Sequence, residues 1–366
     1  RHLPGGGRRA DRHHLLRGPP QGRVIAMSWV VWRQYRAAAA ITAALVAAFA
    51  ALIVVTGVQA ASQWHSALSV CTASRTCGNL SSSTFFLGSH AIGFLVIMTL
   101  GVPAVLGILA GAPLLAHEFE AGTNQYAWTQ SVTRRRWLAV KAGWLLLAAA
   151  AIGGVVSALV TWWSGPNNAL QANAFDPGRF DIMGIVPVGY AVFATALGIT
   201  AGALLRRTLP AIAVTLAGFI VVRAVIFMAL RRSFMTAVTS YFPIGSGLTP
   251  AGSAWQLGAG FVGANGQPLI LPLSTNGAVI GGAAGEGLPV SSLPASCQAA
   301  AGNGPFTRAT YHAVVSCAQA HGIRGYVTYQ PASRYWAFQG IETGIFLLLA
   351  AALIAVAFAV VSRRDA

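Results

Sequence analysis

The chain reads as an all-α integral membrane protein with six transmembrane helices and a disulfide-stapled extracellular loop subdomain between spans five and six. Three observations carry that reading. Of 366 residues, 55% are hydrophobic and only 9% are charged, where a soluble domain carries roughly 25% charged residues. The apolar residues gather into runs of about twenty, enough to cross a hydrocarbon layer of about 30 Å. The basic residues cluster in short segments beside those runs, as cytoplasmic loops require.

Residues 1–26 (RHLPGGGRRADRHHLLRGPPQGRVIA) have no apolar period and no signal-peptide core. They read as a disordered basic tail, and the segment opening at Met27 reads as a natural start, which would make the tail a start-site artefact. Ser28 to Arg36 (SWVVWRQYR) sets Trp29 and Trp32 three apart, on one face of a helix, beside Arg33 and Arg36. That pattern suits either an interfacial helix anchored at the membrane surface or a snorkelling flank of the first span. The spans then follow as 37–58, 91–115, 137–163, 182–205, 209–230 and 341–361. Pro103 interrupts the second. Trp162-Trp163 closes the third at an interfacial belt. The division is a tail at 1–26, a transmembrane domain at 27–230, an external loop at 231–336, and the last span with its tail at 337–366.

Six spans put both termini on one side. From Met27 onward that side carries ten Lys/Arg in short segments, against seven spread over longer loops. The termini are therefore expected in the cytoplasm. The same rule accounts for much of the net charge of +16, so no nucleic-acid partner is inferred. Only one of 24 basic residues is lysine, and Ala and Gly abound, which points to a GC-rich bacterial genome and a bacterial plasma membrane. All four cysteines fall outside. Cys71–Cys77 and Cys297–Cys317 are the local pairings among three connectivities, and they read as staples. Within the external loop, 306–322 looks helical and 327–335 extended.

Catalysis finds no support. His117-Glu118 opens a His-Glu-x-x-His pattern, but the fifth position is Ala121, so the second zinc ligand is missing. No P-loop exists, and Lys141 is the single lysine. The chain is read as no enzyme, with no metal or cofactor of its own. Arg223 inside the fifth span and Glu342 at the outer end of the sixth are costly in lipid. They read as an ion pair, either a gate in a substrate pathway or a structural pin; a snorkelling arginine is the third reading. Gly107/Gly111, Gly198/Gly202 and Gly340/Gly344 are each four apart, which permits close helix contact.

A charged, aromatic-bearing island between two spans runs from His117 to Lys141, HEFEAGTNQYAWTQSVTRRRWLAVK. Gly122 is placed to break the second span, and Thr123 to cap a new short helix presenting Tyr126 and Trp128. Thr133 is placed to cap the third span, with Arg134, Arg135 and Arg136 at the lipid phosphates. An interfacial loop of no special role is the plain alternative.

The motif E-F-E-x-G-T followed by A-W-T-Q-S-V-T-R-x-R-W-L-x-x-K resembles the permease subunits of ABC-2 type exporters, particularly an actinobacterial group. WVVWRQYR at the start and YQPASRYWAFQGIETG before the last span extend the likeness. The resemblance implies a coupling helix at about 117–136, which docks on a separate ATP-binding subunit through Glu118, Glu120, Gly122, Thr123 and the segment holding Tyr126 and Trp128. It implies a connecting helix at Ser28–Arg36. It also implies a homo- or heterodimer with a second permease, and ATP and Mg bound by the partner subunit alone. The expected function is ATP-driven export of an amphiphilic substrate. The rival is an ATPase-linked sensor or assembly factor whose external loop binds a ligand.

Overall fold

The structure is a computed structural model that describes residues 40–41, 43–59, 61–62, 65–66, 69, 89–122, 133–164, 175, 177–245, 254–269, 279–280, 287–302 and 305–363. Trp29, Trp32, Arg33, Arg36, Cys71, Cys77, Thr123, Tyr126 and Trp128 lie outside the described residues. Among those described, five helices are long and apolar enough to cross a membrane: Val96–Glu120, Arg134–Trp163, Val186–Leu205, Thr208–Ser233 and Ala332–Arg363. A shorter apolar helix, α1, covers Ala43–Gln59. It lies on the second of these helices, where the Trp163 indole N–H donates to Thr56 Oγ1 at 3.2 Å.

Helix α2 begins as Ser89–Leu106, widens into a π-helical turn at Gly107–Gly111 and continues as Ala112–Glu120. Pro103 sits inside the helix without interrupting it, contrary to expectation. The irregularity falls just before Pro113. A proline there offers no N–H and crowds the carbonyl four residues back, so the ladder relaxes to a wider turn. Helix α3 is Arg134–Trp163, α4 is Val186–Leu205, and α5 is Thr208–Val225 with a π turn at Ile226–Leu230 and a 3-10 turn at Arg231–Ser233.

α4 is the hub of the bundle. Its apolar window is 72% buried, against 22–33% for the other four long helices. It packs against α2, α3, α5 and the last helix. Its sequence, VPVGYAVFATALGITAGALL, explains why: small side chains let neighbouring backbones approach. The two glycine pairs on α2 and α4 face each other. A Cβ on Gly107 would lie 2.6 Å from Ala194 O, one on Gly111 2.7 Å from Thr195 O, and one on Gly202 2.6 Å from Ala112 O. A Cβ on Gly198 would run into the carbonyl of Gly107. The third pair differs, since nothing lies within 4 Å of where a Cβ on Gly340 or Gly344 would sit. The hydroxyls in the hub are satisfied along the helices. Thr195 and Thr200 donate to carbonyls four residues back, and Thr200 also reaches Leu353 O at 2.9 Å.

The region after α5 is not purely helical, and this corrects the all-α expectation. Strands β1 (Val238–Pro243), β2 (Trp255–Val262) and β5 (Arg324–Gln330) form an antiparallel sheet with β5 in the middle. Between them lie the two-residue ladder β3 (Val279–Ile280) with β4 (Leu288–Pro289), and helices α6 (Ala295–Ala301) and α7 (Arg308–Ala320). The expected helix is present as α7; of the expected extended segment 327–335, β5 holds 327–330, while Ala332–Arg334 form a 3-10 turn and the last helix begins at Tyr335. Cys297 and Cys317 are disulfide-bonded, with Cα atoms 5.5 Å apart. The disulfide ties α6 to α7 over a core that includes Ile244, Phe261, Leu288 and Val314. Helix α8, Tyr335–Arg363, closes the chain.

Candidate functional site

Two polar clusters stand at opposite ends of the bundle. The first forms where α2 ends. Ala121 closes the helix, its N–H bonding to His117 O at 2.9 Å, and Gly122 turns away with φ of +66°. That left-handed conformation favours glycine, which has no Cβ to strain. The two acidic residues diverge. Glu118 is buried, at 6% exposure, and forms an ion pair with buried Lys141 of α3. The Lys141 ammonium also lies 4.8 Å from the centroid of Trp137. Glu120 is exposed, and its carboxylate accepts from Thr208 Oγ1 at 2.6 Å and from Thr208 N at 3.3 Å. It thereby satisfies an open backbone N–H in the first turn of α5. Phe119 lies under Arg206, at 5.1 Å from ring centroid to guanidinium. Arg206 itself adopts the left-handed conformation, φ 53°, in the turn between α4 and α5.

Across the gap, Thr133 takes the N-cap position of α3 through its carbonyl, which accepts from Trp137 N at 3.0 Å; its side chain makes no cap bond. Arg135 is exposed, while Arg134 and Arg136 are half-buried. The structure therefore places Glu120, Gly122 and the arginines toward the surface. It places Glu118, which the sequence reading grouped with them, in the interior.

The second cluster is a charge network at the end that carries the sheet. Arg231 is 2% exposed. Its Nε donates to Glu342 Oε2 at 2.8 Å and its Nη2 to Glu342 Oε1 at 2.7 Å, a two-pronged fork. Nη2 also reaches Asp181 Oδ1 at 2.5 Å. The Tyr190 hydroxyl donates to Glu342 Oε1 at 2.6 Å. Arg223 binds the other oxygen of Asp181 at 2.6 Å and lies over the Tyr190 ring. Phe180 and Phe227 flank the Arg231 guanidinium at 4.4 and 5.0 Å. Two carboxylates face two guanidiniums, so the cluster is neutral. Among the described residues, this is how an apolar environment tolerates four charges.

The anticipated Arg223–Glu342 ion pair is thus replaced by two others, Arg223–Asp181 and Arg231–Glu342. Arg231 and Asp181 bridge the two residues into one network. Gln339 completes the joint: its Oε1 accepts from Ile185 N and Val186 N at 3.0 Å, and its Nε2 donates to Phe180 O at 3.0 Å. A side chain of α8 therefore caps the start of α4. An aromatic group of Phe175, Phe180, Trp255, Tyr335 and Phe338 packs beside it and roots β2 in the bundle.

Sequence reading gave no site role to Lys141, Asp181, Tyr190, Arg231 or Gln339. A signal existed for two of them. Asp181 is one of eight acidic residues and adjoins a span, and Lys141 is the single lysine. Arg231 was hidden because it follows the last apolar residue of its span and so counted as loop.

A family model described as ABC-2 membrane transporter related matches residues 43–231, just over half of the chain. The match takes in α1 to α5, and with them Glu118, Glu120, Lys141, Asp181, Tyr190, Arg223 and Arg231. No curated protein and no solved structure matches the chain. With its apolar helices, its hub of small residues and this match, the chain belongs to the ABC-2 membrane transporter related family and is a multi-pass membrane protein of the ABC-2 permease type.

Proposed function

We propose that the protein is the membrane-spanning subunit of an ATP-binding-cassette exporter, working with a separate ATP-binding subunit and a second permease. The observation that carries the reading is the family match across α1 to α5, since ABC-2 permeases usually work with an ATP-binding subunit. The chain's lack of a P-loop agrees with ATP and Mg being bound by that partner. In this reading α1 belongs to the first of six spans, and both termini are cytoplasmic. The docking element is the segment from the end of α2 to the start of α3. Closure of the ATPase pair pushes on it, the cytoplasmic ends of α2 and α3 shift, and the pathway between permeases changes its access. The charge network then lies at the outer side, where it holds the ends of α4, α5 and α8 together. The cargo is amphiphilic rather than a bare ion, because the buried charges described in the spans are already matched to one another.

The test is affinity purification of the detergent-solubilised protein, tagged at its C-terminus and expressed from its own operon. A P-loop ATPase should co-purify and be lost on Glu120→Lys, which reverses charge on the exposed side of the docking end. A permease that purifies alone with an intact fold would refute the proposal. The folded sheet subdomain favours a second reading, an ATPase-linked sensor. ATP-dependent movement of a compound into inverted vesicles decides for transport.

A further inference from the structure

We infer that Cys297, Cys317 and His321 form a zinc site that oxidation closes: with the disulfide intact the two cysteines staple α6 to α7, and once a dithiol reductant opens it the same three side chains take one Zn2+ ion. The inference concerns the sheet subdomain alone and does not depend on the permease reading. Cys297 lies in α6, and Cys317 in the last turn of α7. His321 follows Cys317 by four residues, so the helix puts both on one face. The way α7 ends fixes its backbone. His321 N donates to Cys317 O at 3.1 Å, Gly322 turns with φ of +70°, and Ile323 N donates to Ala318 O at 3.1 Å. The ring is thereby held beside the disulfide, with Nδ1 3.6 Å from Cys297 Sγ and 3.8 Å from Cys317 Sγ.

Those distances suit zinc. Tetrahedral bonds of about 2.3 Å to sulfur and about 2.0–2.1 Å to nitrogen set ligand separations of about 3.6 Å between S and N and about 3.8 Å between S and S. The nitrogen already stands at that spacing from both sulfurs. Only the sulfurs must part, by side-chain rotation from Cα atoms 5.5 Å apart. Thiolate and imidazole are ligand types that zinc accepts. The support for the ring is also in place. In the neutral ring Nδ1–H donates to Cys317 O at 2.9 Å, and Nε2 accepts from the Ser296 hydroxyl at 3.2 Å. Zinc at Nδ1 puts the ring proton on Nε2, and Ser296 Oγ is there to accept it, as the outer nitrogen of a ligating histidine requires. Cys297 is fully buried, Cys317 half-buried and His321 exposed. His321 borders an open hollow of about 590 Å³ that Asn265, Ser292 and Pro294 also line, so reductant and hydrated ion reach the site from that side. The dithiol supplies two electrons: its own sulfurs close into a disulfide, the Cys297–Cys317 bond breaks, and its two protons pass to the freed sulfurs. Zn2+ then displaces both protons, gains two sulfur bonds and the His321 nitrogen bond, and keeps water in the fourth position.

The test uses the full chain in detergent, with a histidine-free tag and with Cys71→Ser and Cys77→Ser so that no other cysteine competes. The protein is reduced with dithiothreitol, freed of it without oxygen, and titrated with Zn2+ against a chromophoric chelator. One zinc per chain should bind after reduction, and less than a tenth of an equivalent before it. Co2+ in place of zinc should show thiolate-to-cobalt charge-transfer absorption. His321→Ala, which leaves the disulfide intact, should weaken binding at least tenfold. Limited proteolysis should cut the reduced, metal-free protein between α6 and β5, and zinc should restore protection. Should the serine background fail to fold, the His321-dependent share of Co2+ binding to the wild-type chain makes the same comparison. Binding below a fifth of an equivalent after reduction, an affinity of His321→Ala within twofold of its parent, or a reduced subdomain that zinc does not protect would each overturn the inference.

Discussion

Replacing Arg231 by methionine isolates the central member of the charge network at the sheet end of the bundle. The side chain is 2% exposed and makes a two-pronged contact to Glu342 and a third to Asp181. Methionine fills much of the same volume, so packing is largely retained. What remains is Glu342, 1% exposed, facing Asp181, 6% exposed, with Arg223 as the one guanidinium left. Removing one partner of a buried pair costs about 3–5 kcal/mol. In a protein of this size that corresponds to a loss of roughly 4–7 °C in melting temperature. The assay is thermal unfolding of the detergent-solubilised protein followed by size-exclusion chromatography. The decisive comparison is the double variant Arg231→Met with Glu342→Gln, which restores neutrality. It should recover more than about 1 kcal/mol relative to the sum of the single changes, because the two residues interact directly. A melting temperature for Arg231→Met within 2 °C of wild type, or strict additivity in the double variant, would refute the idea that the network is a cooperative buried unit.

Gly198→Val places a branched side chain against the Gly107 carbonyl, where not even a Cβ fits; backbone must shift, and a loss of about 3 kcal/mol or more is expected, read as a lower melting temperature and poor recovery from the membrane. Gln339→Leu strips acceptors from Ile185 N and Val186 N and a donor from Phe180 O; at about 1–3 kcal/mol for an unsatisfied buried group, it should destabilise more than Gln339→Glu, which still accepts both N–H groups. Cys297→Ser with Cys317→Ser opens a loop of 20 residues. A cost of about 3 kcal/mol should fall on the sheet subdomain. Limited proteolysis should then cut between α6 and β5 while the bundle fragment stays intact.

The bundle was largely legible in the sequence because lipid imposes a simple rule on composition, and apolar runs report it directly. That α2 and α4 admit close neighbours was legible for a narrower reason. Gly107/Gly111 and Gly198/Gly202 each recur at four residues, and only small residues at that spacing open a flat helix face. The same spacing at Gly340/Gly344 meets nothing in the described residues, which shows that the pattern gives permission for contact without naming a partner. The sheet was hidden because β2, WQLGAGFV, breaks its alternation with Gly258 and Gly260, and Tyr326 covers Gly260 from the neighbouring strand. Burial of Glu118 was readable in principle from its angular distance to Glu120, but counting charges along a segment discards angle. Arg231 was missed for the complementary reason: hydropathy ends a span at its last apolar residue, whereas the structure ends it at the last residue with a buried partner.

The sheet subdomain leaves and re-enters the bundle at one point. Val238 pairs with Tyr329, the Gln330 amide donates to Met235 O at 2.7 Å, and Arg334 donates to Thr236 O at 2.5 Å. Its two ends are thus an interstrand distance apart, about 5 Å. Geometrically it is a cassette inserted between α5 and α8, joined to the bundle by two neighbouring chain crossings. Such an insertion can be exchanged for another of different size or chemistry while the helix contacts below it stay as they are. Whatever the transmembrane helices do, they can therefore be fitted with a new head without being redesigned, and the match over residues 43–231 ends where that head begins.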